Sequence, residues 1–338
     1  MSIEPEPGGN PLSAALAAAA GIGGYAPSIH NTQPWRWRVH GDRLELHAVP
    51  SRRLAASDPS SRLMVLSCGV ALHHVRVALA AEGRQAGVAR LPEPDRPDLL
   101  ARLTLTGRAP VTTDAMRLLQ TIHVRHTDRR PVTDAETPPQ TLDQVRQAAE
   151  AEGGWLHFLG PNDVLDLATT ADRAQTIETF DPQWREEIAY WAGGSRPEGL
   201  GIPDSAIPSE SPKTTVPGRD FGLSGQLPIS AGHDRAAVYA ILYGDDDTRL
   251  GWLRGGEALS AAWLTATELA VSVLPLSAAV EVSSTRQILR RLLSNLGEPY
   301  LVLRFGMADP DHAGPPHTPR LPSAQVVEIV REAQPGSG

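Results

Sequence analysis

The chain has 338 residues, 41% hydrophobic and 21% charged, with a formal net charge of −8; that length suits two domains or one large body with a real core. The acidic balance argues against bulk binding to nucleic acid or an anionic membrane. No apolar run reads as a membrane span of about 18 residues. The lone cysteine, Cys68, leaves no disulfide framework and no cysteine-based zinc site. The acidic start MSIEPEPGGN is neither a secretory signal nor a transit peptide, so a cytoplasmic protein is expected. Lys213 is the only lysine. That excludes a P-loop and leaves any phosphate to arginine, hydroxyls or backbone N–H groups.

In chain order, residues 11–23 read as a helix stopped by glycines. WRWRVH and LELHAV read as two strands joined at Gly41-Asp42. Long Ala/Leu-rich helical patterns run from Arg62 to about Glu82 and from Arg249 to about Val273. A strand is expected at 101–107, and a helix capped by Thr112, Thr113 or Asp114 at 112–123. A helix at 138–152, a strand at 155–160 and a helical stretch at 161–191, broken near Asp181-Pro182, follow. Residues 193–232 are rich in Gly, Pro and Ser without periodicity, as in a functional lid. Strands at 237–243 and 301–306 and a helix at 283–296 complete the map. Helices and short strands mix without regular alternation, so the expected class is α+β.

The chain also repeats itself. RLMVLSCGVAL from Arg62 and RLGWLRGGEAL from Arg249 share Arg, Leu, Leu, Gly, Ala and Leu at a constant offset of 187. A strand precedes each helix and a strand ending in glycine follows each. Two similar halves are expected: residues 10–110, and residues 111–330 with the lid inserted.

Three segments carry chemistry. Ala26-Pro27-Ser28-Ile29-His30-Asn31-Thr32-Gln33-Pro34-Trp35 is a stiff loop whose Ser, Asn and Gln suit a heterocycle edge. His123-Val124-Arg125-His126-Thr127-Asp128-Arg129 places two arginines and a hydroxyl as a phosphate monoester needs them. Thr318-Pro319-Arg320-Leu321-Pro322 lies near the C-terminus. Other signals read as structural. GIGG at 21–24 follows an Ala-rich helix rather than a strand. His73 and His74 are adjacent on a helix and do not form an i, i+4 metal pair. Asp245-Asp246-Asp247 reads as a helix start, and Cys68 as a packed small residue. No metal site is expected.

Together these segments resemble the flavin-dependent nitroreductase family, and more closely its Acg-like branch, over roughly residues 10–325. The resemblance implies a nitroreductase-like fold, built here as an internal pseudo-dimer with mixed sheets flanked by helices, and FMN as cofactor. It assigns Pro27, Ser28, Ile29, Asn31 and Gln33 to the loop on the flavin ring. Arg125, His126, Thr127, Arg129 and Arg320 fall to the phosphate. Pro275, Leu276, Ser277 and Ala278 resemble the loop whose backbone N–H faces flavin N5. Ile29 replaces the family's second Ser, Ser277-Ala278 an acidic residue and Gly, and Thr318 a common Lys. The pieces complement one another for one site only. The symmetric counterpart would need basic residues before position 26 and a Pro-Ser-x-x-Asn loop near 155, and has neither.

The implied activity is an FMN-dependent oxidoreductase acting on a small organic substrate, with NAD(P)H as a candidate reductant and no homodimer required. A flavin store or sensor without turnover, or a dedicated metabolite- or peptide-tailoring dehydrogenase, are the alternatives. No catalytic residue is assigned; Tyr190 is the one candidate proton donor beside the lid.

Overall fold

The computed structural model describes residues 11–193, 199–229, 233–307, 314–315 and 317–330. The first half runs α1 (Pro11–Gly23), β1 (Trp35–His40), β2 (Arg43–Ala48), α2 (Arg62–Ala81), β3 (Arg84–Arg90) and β4 (Leu99–Arg108). A linking helix, α3 (Thr113–Val124), is capped by Thr112, whose hydroxyl accepts from Ala115 N. The second half runs α4 (Pro139–Ala151), β5 (Trp155–Phe158), α5 (Pro161–Phe180), α6 (Pro182–Trp191), β6 (Val238–Gly244), α7 (Arg249–Glu268), β7 (Val271–Leu276), α8 (Ala278–Glu281), α9 (Ser283–Leu292) and β8 (Glu298–Met307). α10 (Ser323–Val326) and β9 (Val327–Ile329) close the chain.

Two sheets result. The first has the order β3-β4-β2-β1-β9, antiparallel except for β9, which runs parallel to β1. The second has the order β7-β8-β6-β5, antiparallel throughout. Each half thus repeats helix–strand–strand–helix–strand–strand with the same strand order. The second half adds α5, α6 and the insertion between its first two strands, and α8 and α9 between its last two. The C-terminal segment crosses back to the first sheet through β9.

α2 and α7 make the most extensive helix–helix contact in the molecule, with α1 packed on α2 and α4 on α7. α2 is buried almost all round, as a helix apolar on every face must be. By length and hydropathy it passes the test for a membrane span, against the sequence expectation; 89% of that window is buried inside the protein, which makes it a core helix. One apolar cluster joins both sheets and both central helices.

Some boundaries differ from expectation. α7 ends at Glu268, and Val271–Leu276 is a strand instead of helix continuation. Its β-branched valines and its pairing with β8 outweigh the Ala/Leu pattern before it. β3 and β9, absent from the sequence map, are drawn into the first sheet by their neighbours. The break at Asp181 holds: its carboxylate accepts from Gln183 N and Trp184 N, and Pro182 opens α6.

The insertion is packed. A second cluster joins Trp184 and Ile188 of α6 to Ile202, Ala206, Ile207 and Phe221. Two isolated bridges, Ala192 to Ile202 and Pro208 to Leu227, tie its ends. Residues 194–198 and 230–232 of the expected lid lie outside the described residues.

Candidate binding site between the two halves

A cavity of about 360 Å³ opens between the halves, within the usual size range for small-molecule sites. Leu66, Ser67 and Val70 of α2 form one wall, and Leu259 and Trp263 of α7 another. Leu167 and Ala171 of α5 lie beside them, and residues 208–221 of the insertion form the roof, through Pro208, Val216, Arg219 and Phe221 among others.

The sequence-selected residues separate into two groups. Pro27, Ser28, Ile29, Thr127, Arg129, Pro275, Leu276, Ser277 and Ala278 line the cavity. Pro275 and Leu276 end β7, while Ser277 and Ala278 begin α8, so the expected loop is a strand-to-helix corner. Asn31, Gln33, Arg125, His126 and Arg320 stand outside the lining. Asn31 Nδ2 donates to the carbonyls of Gly201 (2.9 Å), Pro319 (3.0 Å) and Gly199 (3.3 Å). Gln33 Nε2 donates to Gly199 O and its Oε1 accepts from Leu321 N. Both amides therefore fasten the insertion and the C-terminal segment to the 26–35 loop. That loop is strained: His30, Asn31 and Gln33 have φ of 46°, 55° and 46°.

The cations are arranged unusually. Arg125 is buried and its Nε and Nη1 have no hydrogen-bond partner. It lies over the Trp263 ring, 4.6 Å from the centroid, two residues before the cavity-lining Thr127. Arg320 Nη1 donates to Asn31 Oδ1 and to Thr318 O and Oγ1, and Nη2 donates to Tyr25 O, two residues before the cavity-lining Pro27. Its Nε is unpartnered. Burial pushes Arg125 down to about 9, with the charge of Arg320 adding to the effect, and Arg320 to about 10. Both remain cationic at neutral pH. Among the described residues no carboxylate pairs with either. Guanidinium groups with unpartnered nitrogens and no facing carboxylate are the kind of donors an anion needs. Arg129 donates to Ala206 O at 3.1 Å and lies over Phe221. His126 is bonded to Val124 O and sits edge-on to His317.

Sequence reasoning missed a second charged group. Arg219, from the insertion, pairs with Glu178 of α5 (3.4 Å) and with Glu281 of α8, and donates to Ser277 Oγ at 3.0 Å. It also lies over Trp184. Burial, with the facing Glu281 and against the opposing charge of Arg219, pushes Glu178 up to about 8. An arginine in a Gly/Pro-rich stretch was the available signal. His30, edge-on to Phe221, is held well below its ordinary pKa by burial and by Arg219 and Arg129. Tyr190 is exposed on α6 and does not line the cavity.

The symmetric counterpart of the cavity is lined differently, by Arg76, Leu79, Gln85 and Gly87 among others, and its cation is paired. At the offset of 187, Val70 corresponds to Glu257 and Trp263 to Arg76. Arg76 donates to Glu257 Oε1 (2.8 Å) and Glu152 Oε2, and Arg90 clamps Glu257 through two further bonds.

The cavity thus lies between the two central helices and the second sheet, roofed by the inserted segment, with Arg129 and Arg219 in its lining. No family model matches the chain. The chain is 38% identical over 314 residues to the Mycobacterium tuberculosis protein named "Putative NAD(P)H nitroreductase Rv3131", covering 91% of this chain and 89% of the relative. It is 32% identical over 320 residues to "Putative NAD(P)H nitroreductase acg" of the same organism, covering 93% and 95%. Among solved structures, the FMN-dependent nitroreductase NfnB from Mycobacterium smegmatis in complex with NADPH overlaps 64% of this chain and 99% of its own, at 15% identity and a TM-score of 0.40. The chain belongs to the nitroreductase family, in the branch that includes acg.

Proposed function

We propose that the protein is an FMN-dependent oxidoreductase that moves a hydride between a nicotinamide and a small organic molecule, with one FMN held between its two halves. The observation that carries this reading is a pair of carboxylate-free arginines with unpartnered nitrogens, Arg125 and Arg320, the first lying over the cavity-lining Trp263. A phosphate dianion would accept from Arg125 Nε and Nη1 and from Arg320 Nε, the nitrogens that lack partners. The names of the Mycobacterium tuberculosis relatives support the nicotinamide as reductant.

Bound there, FMN supplies two-electron redox chemistry that side chains lack. The protein's own groups do the rest. Ser28, Ile29 and Pro275 shape the cavity walls, and the roof at 208–221 excludes water. At the counterpart, Arg76 and Arg90 are already paired with Glu257, which favours a single anion-binding site per chain, complete without a second copy.

The roof favours a second reading, a flavin store without turnover, because Arg219 fastens it to both α5 and α8. One experiment separates them. The purified protein should show flavin absorbance bands, carry one FMN per chain in native mass spectrometry, and bleach anaerobically with NADH or NADPH. Bleaching by neither favours the store; a colourless protein that binds no added FMN defeats both.

A further inference from the structure

His74 is the one histidine of α2 that the fold does not explain. It is fully buried, and neither ring nitrogen has a hydrogen-bond partner. Its neighbour His73 is accounted for, since its Nδ1 meets Ser260 Oγ at 2.9 Å across the α2–α7 contact. Helix packing does not call for a histidine here either. At the offset of 187, the matching position of α7 is Ala261, also buried in the same helix pair. Two orphaned ring nitrogens cost free energy in an apolar interior, on the order of 1–3 kcal/mol for an unmet donor or acceptor.

Helix geometry shows where the ring lies: His74 stands one turn beyond the cavity-lining Val70, and Val77 after it packs on Ile122 near the end of α3. Arg320 reaches the same corner, since it donates to Tyr25 O and the Tyr25 ring packs edge-on to His123 of α3. Burial first, and then the charge of Arg125, hold the imidazole in its neutral form. Among the described residues, Arg125 and Arg320 are the two arginines with unpartnered buried nitrogens and no carboxylate partner. So three elements — α2, the turn after α3 and the C-terminal segment — bring unsatisfied nitrogens to one buried place. A neutral imidazole keeps one N–H to donate.

We propose that His74 is a third phosphate ligand, donating a ring N–H to the terminal phosphate of the flavin and making the site select FMN over unphosphorylated flavin. The proposal rests on the FMN reading above. It assigns a role to a residue outside the three segments that carry the family resemblance.

The test compares FMN with riboflavin, which lacks the phosphate, by quenching of flavin fluorescence on titration with apoprotein. His74→Leu should weaken FMN about 10- to 100-fold, the range for a hydrogen bond to a charged group, and leave riboflavin within about twofold. His74→Gln, which keeps an N–H donor, should recover most of the FMN affinity. The His74→Leu apoprotein should melt no lower than the parent, because two orphaned polar atoms are gone. In the unaltered protein, the 15N resonances of the His74 ring should move on adding FMN and stay in place with riboflavin. Equal weakening of both flavins, or an FMN affinity that His74→Leu does not change, overturns the proposal. Arg125→Ala serves as the control: if it too fails to separate FMN from riboflavin, the FMN reading itself falls, and His74 with it.

Discussion

Gly69 of α2 and Gly256 of α7 lie back to back. A Cβ placed on Gly69 would stand 2.9 Å from the Gly256 Cα, and one placed on Gly256 would stand 2.8 Å from the Gly69 Cα. Each would also strike a carbonyl oxygen of the other helix, that of Leu253 and that of Leu66 respectively. Both pairs are 187 residues apart, as are His73 and Ser260. In these pairs each residue meets its own counterpart in the sequence repeat. The glycines let the two central helices approach closely enough to share the core, and so set the width of the cavity beside them.

Alanine at either glycine therefore tests the crossing. The helix-propensity gain is about 1 kcal/mol. Against it stands overpacking onto rigid backbone, which costs typically 1–3 kcal/mol and more where nothing can give. A net loss of about 2 kcal/mol is expected for Gly256→Ala, read as a lower urea midpoint. An unchanged midpoint would show that the helices are not in backbone contact.

Arg125→Ala together with Arg320→Ala should lower FMN affinity by about two to four decades, from the loss of two charge-assisted contacts. The same variant should not destabilise the apoprotein, because it removes two buried charges that no carboxylate balances. Calorimetric melting with and without FMN measures both effects. Retention of full flavin by the double variant would refute the phosphate assignment.

Glu178 sets a pH dependence. Its carboxyl is raised from 4.5 to about 8 in the folded protein by burial and by Glu281. Between those values the unfolded chain has released a proton that the folded protein keeps, so stability falls as pH rises through this window. Glu178→Gln should flatten the decline relative to the parent when urea midpoints are compared from pH 5 to pH 9. A variant whose midpoint falls as steeply as the parent's would show that Glu178 does not carry the titration.

Arg219→Ala should loosen the roof. It leaves Glu281 without its cation and frees the insertion from α5, α8 and Ser277. Breaking a buried pair in this way costs about 3 kcal/mol or more. Limited proteolysis should cut within 199–229 sooner than in the parent, and bound flavin should be reduced faster by dithionite. Equal cleavage and equal reduction rates would show that the arginine does not hold the roof.

Much of this protein is local in its chain, and that part was legible in the sequence. α1, the Thr112 cap, the break at Asp181-Pro182 and the span of α2 follow from periodicity and capping chemistry, which act over four or five neighbouring residues. So did the equivalence of α2 and α7, because a repeat needs only one chain to be compared with itself. The segments around Ser28, Thr127 and Ser277 could be selected for the same reason. What the tertiary structure decided was partnership across distance. Asn31 and Gln33 have the chemistry of ligand contacts, yet their amides are used by carbonyls some 170 and 290 residues away. β3, β7 and β9 became strands because sheet edges were there to be paired. Arg219 found Glu178 and Glu281, and Arg125 came to lie over Trp263, only when separate segments met. Hydrogen bonds and charges act through space, and no pattern along the chain records which groups the fold will bring within 3 Å of one another.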